Sequence, residues 1–419
     1  MNENKYSKGR RSFLLGLGGF SALGLAHKHL SAVQAQASEY TIAEGEEWLR
    51  DLSKENKRGR GESLRQIAAS KGIEYGGFAQ RSSSAIANDQ KFGRIFTREY
   101  GVVVGGFFGV TVGPFGTNNY NFSQTDAFLN FANDNNLTFR GHPIIWSEFN
   151  SPWLVEKFKD NSTTSDEIDK IFINHVTTLA RQYAGQVSSW DVVNEAIRVE
   201  DGRNDNLKDT SKSGVRGEIY PTWLSYLGPD YIERAFKIAH SSDPNAILTY
   251  NDNGLTYSNR FGTSYEEQRR EAVLNLLSRL KAKNTPVHAL GIQSHLEAHR
   301  NKEFDAKKFR AFLSDVASMG IKIIISELDV RDNKLPKNIA KRDRAVAQAY
   351  YQYLSVVLDE PAVTTIISWG LSDRHTWISG FAPRSDGAEV RPLLLDRQYL
   401  RKPAWYAVAK ALKEAPSRI

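Results

Sequence analysis

The sequence predicts a single (β/α)8 barrel, an α/β fold, and three observations carry that expectation. Eight short runs rich in β-branched and aromatic residues recur along the chain. Segments of helical period separate most of them, and no second block of different character breaks the alternation. The strand candidates are residues 75–80, 100–108, 137–146, 189–193, 246–251, 289–294, 322–328 and 364–369. The helical segments include 126–135, 166–183, 229–240, 266–281, 305–319 and 342–358. A doubly wound open sheet is the alternative, but no strand is followed by the Gly-x-Gly-x-x-Gly or phosphate-loop pattern such sheets use. A polar stretch, 200–225, follows the fourth strand and is expected to lie over the barrel mouth.

The chain ahead of the barrel reads differently. Arg10-Arg11-Ser12-Phe13-Leu14 opens an apolar run through Ala26 that is interrupted by Gly16, Gly18, Gly19 and Gly24. Ala35-Gln36-Ala37 then supplies the small-x-small pattern that a signal peptidase reads. Residues 1–37 therefore resemble a twin-arginine-type signal peptide, cleaved after Ala37; uncleaved, the segment would be a membrane anchor. The expected partner is the twin-arginine export machinery, the expected location periplasmic or extracellular, with no stable membrane insertion after cleavage. Residues 38–62 read as a polar helix or linker, and 63–419 as the barrel domain.

Composition narrows the function. The 419 residues are 40% hydrophobic and 25% charged with no Cys, which excludes disordered chains, disulfide scaffolds and thiolate metal sites. The net charge of +7 invites a nucleic-acid reading. Five basic residues and one acid fall within residues 1–37, however, leaving 50 basic against 47 acidic side chains in the remainder. That is an ordinary mixed surface, and no nucleic-acid partner is expected.

In a barrel the chemistry sits at the C-terminal ends of the strands. Two such ends carry carboxylates: Trp190-Asp191-Val192-Val193-Asn194-Glu195 on the fourth, and Ser326-Glu327-Leu328-Asp329 on the seventh. These strands face each other across the mouth. Paired carboxylates across a cleft suit glycosidic bond cleavage, one protonating the leaving oxygen and one meeting the oxocarbenium-like carbon. Gln293-Ser294-His295 ends the sixth strand, Trp369 ends the eighth with Trp377 shortly after, and His142 and Trp146 close the third. Tryptophan faces would stack on sugar rings. His142, His295 and His375 lack the i, i+4 spacing of a metal site, and neither metal nor cofactor is expected.

Taken together, these motifs resemble glycoside hydrolase family 10, the endo-1,4-β-xylanase family, from about Ser63 to Leu412. The most specific pieces are Trp190 to Ala196, Gly291-Ile292-Gln293-Ser294-His295-Leu296, Gly320 to Val330, Trp369 to Asp373, Pro392 to Asp396 and Lys402-Pro403-Ala404-Trp405. The resemblance implies a retaining double displacement on a polysaccharide or oligosaccharide, with the two carboxyls about 5–5.5 Å apart. It implies Glu195 as acid/base, Glu327 as nucleophile, Asn194 on the sugar 2-hydroxyl, His295 holding Glu327 and Asp329 orienting His295. His142, Trp146, Gln293, Trp369 and Trp377 would line the sugar subsites.

The chain also departs from the family. A Glu-Asn-x-x-Lys-Trp pattern usually ends the second strand; here Glu99-Tyr100-Gly101-Val102-Val103-Val104 is the candidate, and no Lys lies between Lys91 and Lys157. Ser147-Glu148-Phe149 stands where His-Ser-Gln is usual. With Tyr100, Val103, Ser147 and Phe149 in place of polar residues, the grip on sugars beyond the cleaved one is expected to be weak. The alternative functions are a non-catalytic carbohydrate-binding protein on a degenerate barrel, or a small-molecule enzyme of metabolism. An intact Glu195, Asn194, His295 and Glu327 speaks against the first, and the export signal against the second.

Overall fold

The computed structural model describes residues 61–79, 89–107, 119–258 and 265–419. The expected signal peptide and nearly all of the linker lie outside these residues. Eight parallel strands close on themselves: β1 (Glu74–Phe78), β2 (Val102–Phe107), β3 (Thr138–His142), β4 (Ser189–Asn194), β5 (Ile247–Asp252), β6 (Ala289–Ile292), β7 (Lys322–Arg331) and β8 (Val363–Ser368). Each pairs with its neighbour in sequence, and β8 pairs back onto β1 through Glu74↔Thr365 to Gly77↔Ser368. The predicted (β/α)8 barrel is thus the fold.

Local chemistry sets the elements. Strands covered by helices on the outside and packed side chains within read as apolar runs, and every residue of β4 is buried. The helix Ser165–Gln182 starts where the Thr164 hydroxyl accepts from Glu167 N–H, and it buries Ile168, Ile171, Phe172, His175, Val176 and Leu179 along one stripe. Ala306–Ser318 and Ile339–Val357 start the same way from Asp305 and Asn338. Ser151 caps Pro152–Lys159, whose first residue is the Pro that this position favours. Predicted strand 137–146 is split in two, Thr138–His142 and Ile145–Trp146, because Pro143 cannot donate to a sheet ladder.

Three strands carry an extra residue close to the mouth. β4 gains one at Val192, where Asp191 and Val193 face the consecutive Thr249 and Tyr250 of β5. β7 gains one over Ser326-Glu327, between the pairs Ile325↔Ile366 and Leu328↔Ser368. β2 gains one at Gly106, between Gly105↔Gly141 and Phe107↔His142. Bulges re-aim the side chains that follow them, and here two of the three precede or contain the candidate carboxylates. Among the described residues, no helix is long and apolar enough to cross a membrane.

Candidate active site

Glu195 is the residue after β4, and its backbone is left-handed, with φ of 55°. For a residue with a β-carbon this conformation costs about 1–2 kcal/mol, and it persists where neighbours impose it. Here Glu195 N–H donates to Asn251 O at 2.8 Å. The turn aims the carboxylate into the mouth, where Gln293 Nε2 donates to Oε1 at 2.8 Å and Trp146 Nε1 to Oε2 at 3.0 Å. Gln293 itself precedes a second left-handed residue, Ser294 at φ 60°, whose hydroxyl is shared with Tyr353 Oη at 2.6 Å.

Glu327 stands opposite on β7 and is also buried. Asn251 Nδ2 donates to its Oε1 at 2.8 Å, and His295 Nε2 lies 3.2 Å from Oε2. Behind, His295 Nδ1 is 2.9 Å from Asp329 Oδ1, and Trp377 Nε1 donates to Asp329 Oδ2 at 2.7 Å. Burial works against charge on His295, but the Asp329 carboxylate and then Glu327 outweigh it and push its pKa up to about 10. The imidazole is therefore cationic at neutral pH and donates to both acids.

Amides connect the two carboxylates. Asn251 Nδ2 also donates to Asn194 Oδ1 at 2.8 Å, and Gln293 Nε2 approaches the same oxygen at 3.4 Å. Ser326 Oγ fixes Asn251 from behind, donating to its Oδ1 at 2.6 Å. Gly291 makes room for this amide, since a Cβ there would stand 2.2 Å from Asn251 Oδ1. Asn194 Nδ2 is buried and has no hydrogen-bond partner among the described residues. A buried donor without an acceptor costs about 1–3 kcal/mol, and this one lies between the two carboxylates, where a ligand oxygen would meet it.

Aromatic residues form the floor and walls. Trp369 stacks on Phe78 with ring centroids 4.1 Å apart and turns its ring toward His142 at 5.3 Å. His142 is fixed by Asp191 Oδ2 at 2.8 Å, and Asp191 is held in turn by a buried ion pair with Arg140. Trp377 packs 5.1 Å from His295, and Trp146 stacks on Phe149 at 4.6 Å, with the Arg216 guanidinium 3.6 Å above that ring. The fold thus brings together Glu195, Glu327, His295, Asp329, Asn194, His142, Trp146, Gln293, Trp369 and Trp377. His375 lies apart, 3.1 Å from Tyr399 Oη, and among the described residues no His, Asp and Glu cluster could hold a metal ion.

Two residues expected at the distal sugars are elsewhere. Tyr100 is the C-cap of the helix Gln90–Glu99 and precedes β2; its ring covers Gly77 and its hydroxyl donates to Gly370 O at 3.0 Å. Val103 faces the helical layer, since Val102 and Val104 are the residues of β2 that pack with Phe78, Ile367 and Trp369. Both side chains are fully buried. Tyrosine's fit to strands drew the predicted boundary two residues early, and the mouth end of β2 is Gly105-Gly106-Phe107 instead. Ser147 is buried, whereas Glu148 accepts from Lys208 Nζ at 2.8 Å.

Sequence reasoning missed Asn251, Ser326 and Lys208. Asn251 is the last residue of the predicted strand 246–251 and the penultimate residue of β5, so the strand-end criterion that found Glu195 would also have found it. Lys208 sits in the polar loop after β4 and carries no local signal.

Residues 63–411 match the family model described as Glycosyl hydrolase family 10. The chain is 28% identical over 353 residues to Endo-1,4-beta-xylanase B of Thermotoga neapolitana, covering 84% of this chain and 92% of that one. It is 29% identical over 297 residues to Endo-1,4-beta-xylanase C of Paenibacillus barcinonensis, a longer protein of which the match spans 26%. Among solved structures, xylanase 10B from Thermotoga petrophila RKU-1 in complex with xylobiose is 27% identical with a TM-score of 0.70, over 85% of this chain and 98% of that one.

Proposed function

The chain belongs to glycosyl hydrolase family 10 and is a xylanase-like glycoside hydrolase, and we propose that it cleaves β-1,4-linked xylan or a related β-glycan by a retaining double displacement. The observation that carries this reading is the pair of buried carboxylates, Glu195 and Glu327, held in different surroundings, with Asn194 Nδ2 between them and without a partner among the described residues. A sugar 2-hydroxyl supplies the missing acceptor, and that contact strengthens as the anomeric carbon gains positive charge.

Each group then has a task. Glu195 gives its proton to the glycosidic oxygen while a Glu327 oxygen attacks the anomeric carbon. The carbon–oxygen bond to the leaving sugar breaks and an ester to Glu327 forms. Water next attacks the same carbon, its proton passing to the Glu195 carboxylate, and Glu327 is released as an anion. His295, cationic and anchored by Asp329, fixes the orientation of Glu327 throughout. Trp369 and His142 form the floor below the reacting sugar, and Trp377 and Trp146 flank it.

The grip on sugars beyond the cleaved one is weak in this reading. Val104 faces the barrel interior, and Gly105 and Gly106 at the mouth end of β2 carry no side chain, so none offers a side-chain hydrogen bond, and Phe149 presents a ring. Export by the twin-arginine route to the periplasm or exterior is part of the same proposal and rests on Arg10, Arg11 and the segment to Ala37. Proton NMR of the first product released from a xylo-oligosaccharide tests the chemistry. The β-anomer should form first and then mutarotate; initial α-anomer would mean inversion and a different use of the two acids.

A further inference from the structure

Neutral donors hold Glu195 from two directions, yet a cation also faces it, and the steps above leave that cation without a task. Lys208 is 8% exposed. Its Nζ lies 2.8 Å from Glu148 Oε1 and 3.7 Å from Glu195 Oε2, so one buried ammonium stands between two carboxylates. Its backbone is anchored where it can serve both, because Lys208 N–H donates to Ala196 O at 2.8 Å and the preceding Leu207 bridges to Ile197. Glu148 comes from the far side of the same wall, two residues past Trp146.

We propose that Lys208 is a positioning residue for the acid/base cycle of Glu195, with Glu148 as the carboxylate that holds the ammonium while Glu195 carries its proton. The proposal rests on Glu195 being the acid/base. In the first step Glu195 is neutral and the Lys208 charge belongs to Glu148. Once the proton has gone to the leaving oxygen, two carboxylates compete for one ammonium, and Lys208 stabilises the Glu195 anion until water returns a proton. A buried cation with only one partner would favour the anion permanently and deplete the acid; Glu148 supplies the balance.

Other charges face this carboxylate. Asp252, ending β5, accepts from the Tyr250 hydroxyl and Ile197 N–H, and burial pushes its pKa up to about 6. Arg269 stands beyond it, bonded to Asn253 and Glu200. Glu327 lies across the mouth. Arg198 and Arg203 of the loop are closed on Asp201 and Asp205. Lys208 also draws the pKa of Asp252 down, so Lys208→Met changes that acid too, and the opposite shift expected in Glu148→Gln is what reports on the pair itself.

The test is the pH dependence of kcat/KM on an unactivated xylo-oligosaccharide, whose leaving group needs the proton. In Lys208→Met the loss of a positive charge lets the acid keep its proton to higher pH, so the alkaline limb should move up, by about 0.7 pH unit or more for a unit charge near 4 Å. In Glu148→Gln the ammonium is left to Glu195 alone, and the limb should move down. Lys208→Arg should restore most of the wild-type profile. A lysine that only pins the loop predicts lower kcat/KM with an unmoved limb in both variants, and that result, or shifts of the same sign, overturns the proposal. Should Lys208→Met fail to fold, Glu148→Gln decides alone: an unmoved limb overturns the role. Azide rescue of Glu195→Ala separates the two levels, since rescue with unmoved limbs sinks only Lys208, whereas absence of rescue sinks the acid/base assignment.

Discussion

The two carboxylates of the site are held by different chemistry. Around Glu327 every direct partner comes from a barrel strand or the short extension after one, and the set includes a cation, His295, clamped by a second acid, Asp329. Around Glu195 the direct partners among the described residues are an amide and an indole, Gln293 and Trp146, and the cation near it, Lys208, arrives from a loop and is shared with Glu148. The difference fits the tasks proposed for them. A nucleophile serves best with its charge and orientation fixed, whereas an acid/base must exist in two protonation states within one turnover. Rigid ionic support suits the first, and neutral donors with a movable charge suit the second.

Removing the fixed side should have the largest effect. Glu327→Ala is expected to lower hydrolysis of every substrate on the order of 10⁴-fold or more, with the far-ultraviolet circular dichroism of the wild type, since both steps pass through that oxygen. Residual turnover above one per cent would place the nucleophile elsewhere. The mobile side should break more selectively. Glu195→Ala should lose about 10²–10⁴-fold on unactivated oligosaccharides, yet still form the intermediate from an aryl glycoside with a good leaving group. Azide, which needs no base, should then accelerate turnover and yield a β-glycosyl azide.

The ionic support predicts a pH signature in stability. His295 carries a folded-state pKa of about 10 against 6.5 unfolded, so its contribution is complete below pH 6.5 and is lost as pH rises through 10. The gap in urea stability between wild type and His295→Asn should therefore shrink between pH 6 and pH 10.5. A constant gap would mean that the imidazole is not charged in the folded protein. The smallest effect is expected at the distal sugars. Passing from an aryl xyloside to the aryl xylobioside should raise kcat/KM by less than about tenfold, for want of the hydrogen bonds worth about 0.5–1.5 kcal/mol each. A gain of a hundredfold would reveal a polar subsite that Val104, Gly106 and Phe149 do not supply.

The sequence exposed both carboxylates and part of what holds each of them, for a physical reason. Glu327, Asp329, His295 and Gln293 are strand-end residues, and the apolar runs before them mark where each strand stops. Asn194 and Glu195 were legible in the same way. Lys208 was not, because its place depends on the path of a polar loop in which Arg198, Arg203, Lys212 and Arg216 look equivalent. Tyr100 and Val103 failed for a third reason: a helix end and a strand start meet there, and β-propensity alone cannot decide which side of the boundary a tyrosine occupies. The bulges at Val192 and Ser326-Glu327 had no sequence signature either, as neither uses glycine.

The most direct test of the account is covalent. A 2-deoxy-2-fluoro β-xylosyl or xylobiosyl donor with an activated leaving group slows both steps, the second more, and should leave a stable glycosyl-enzyme. Intact-mass spectrometry should show one sugar added, and peptide mapping should place it on Glu327. No adduct despite turnover of the unsubstituted donor, or an adduct on any other carboxylate, would contradict the assignment of Glu327 as nucleophile and with it the double displacement.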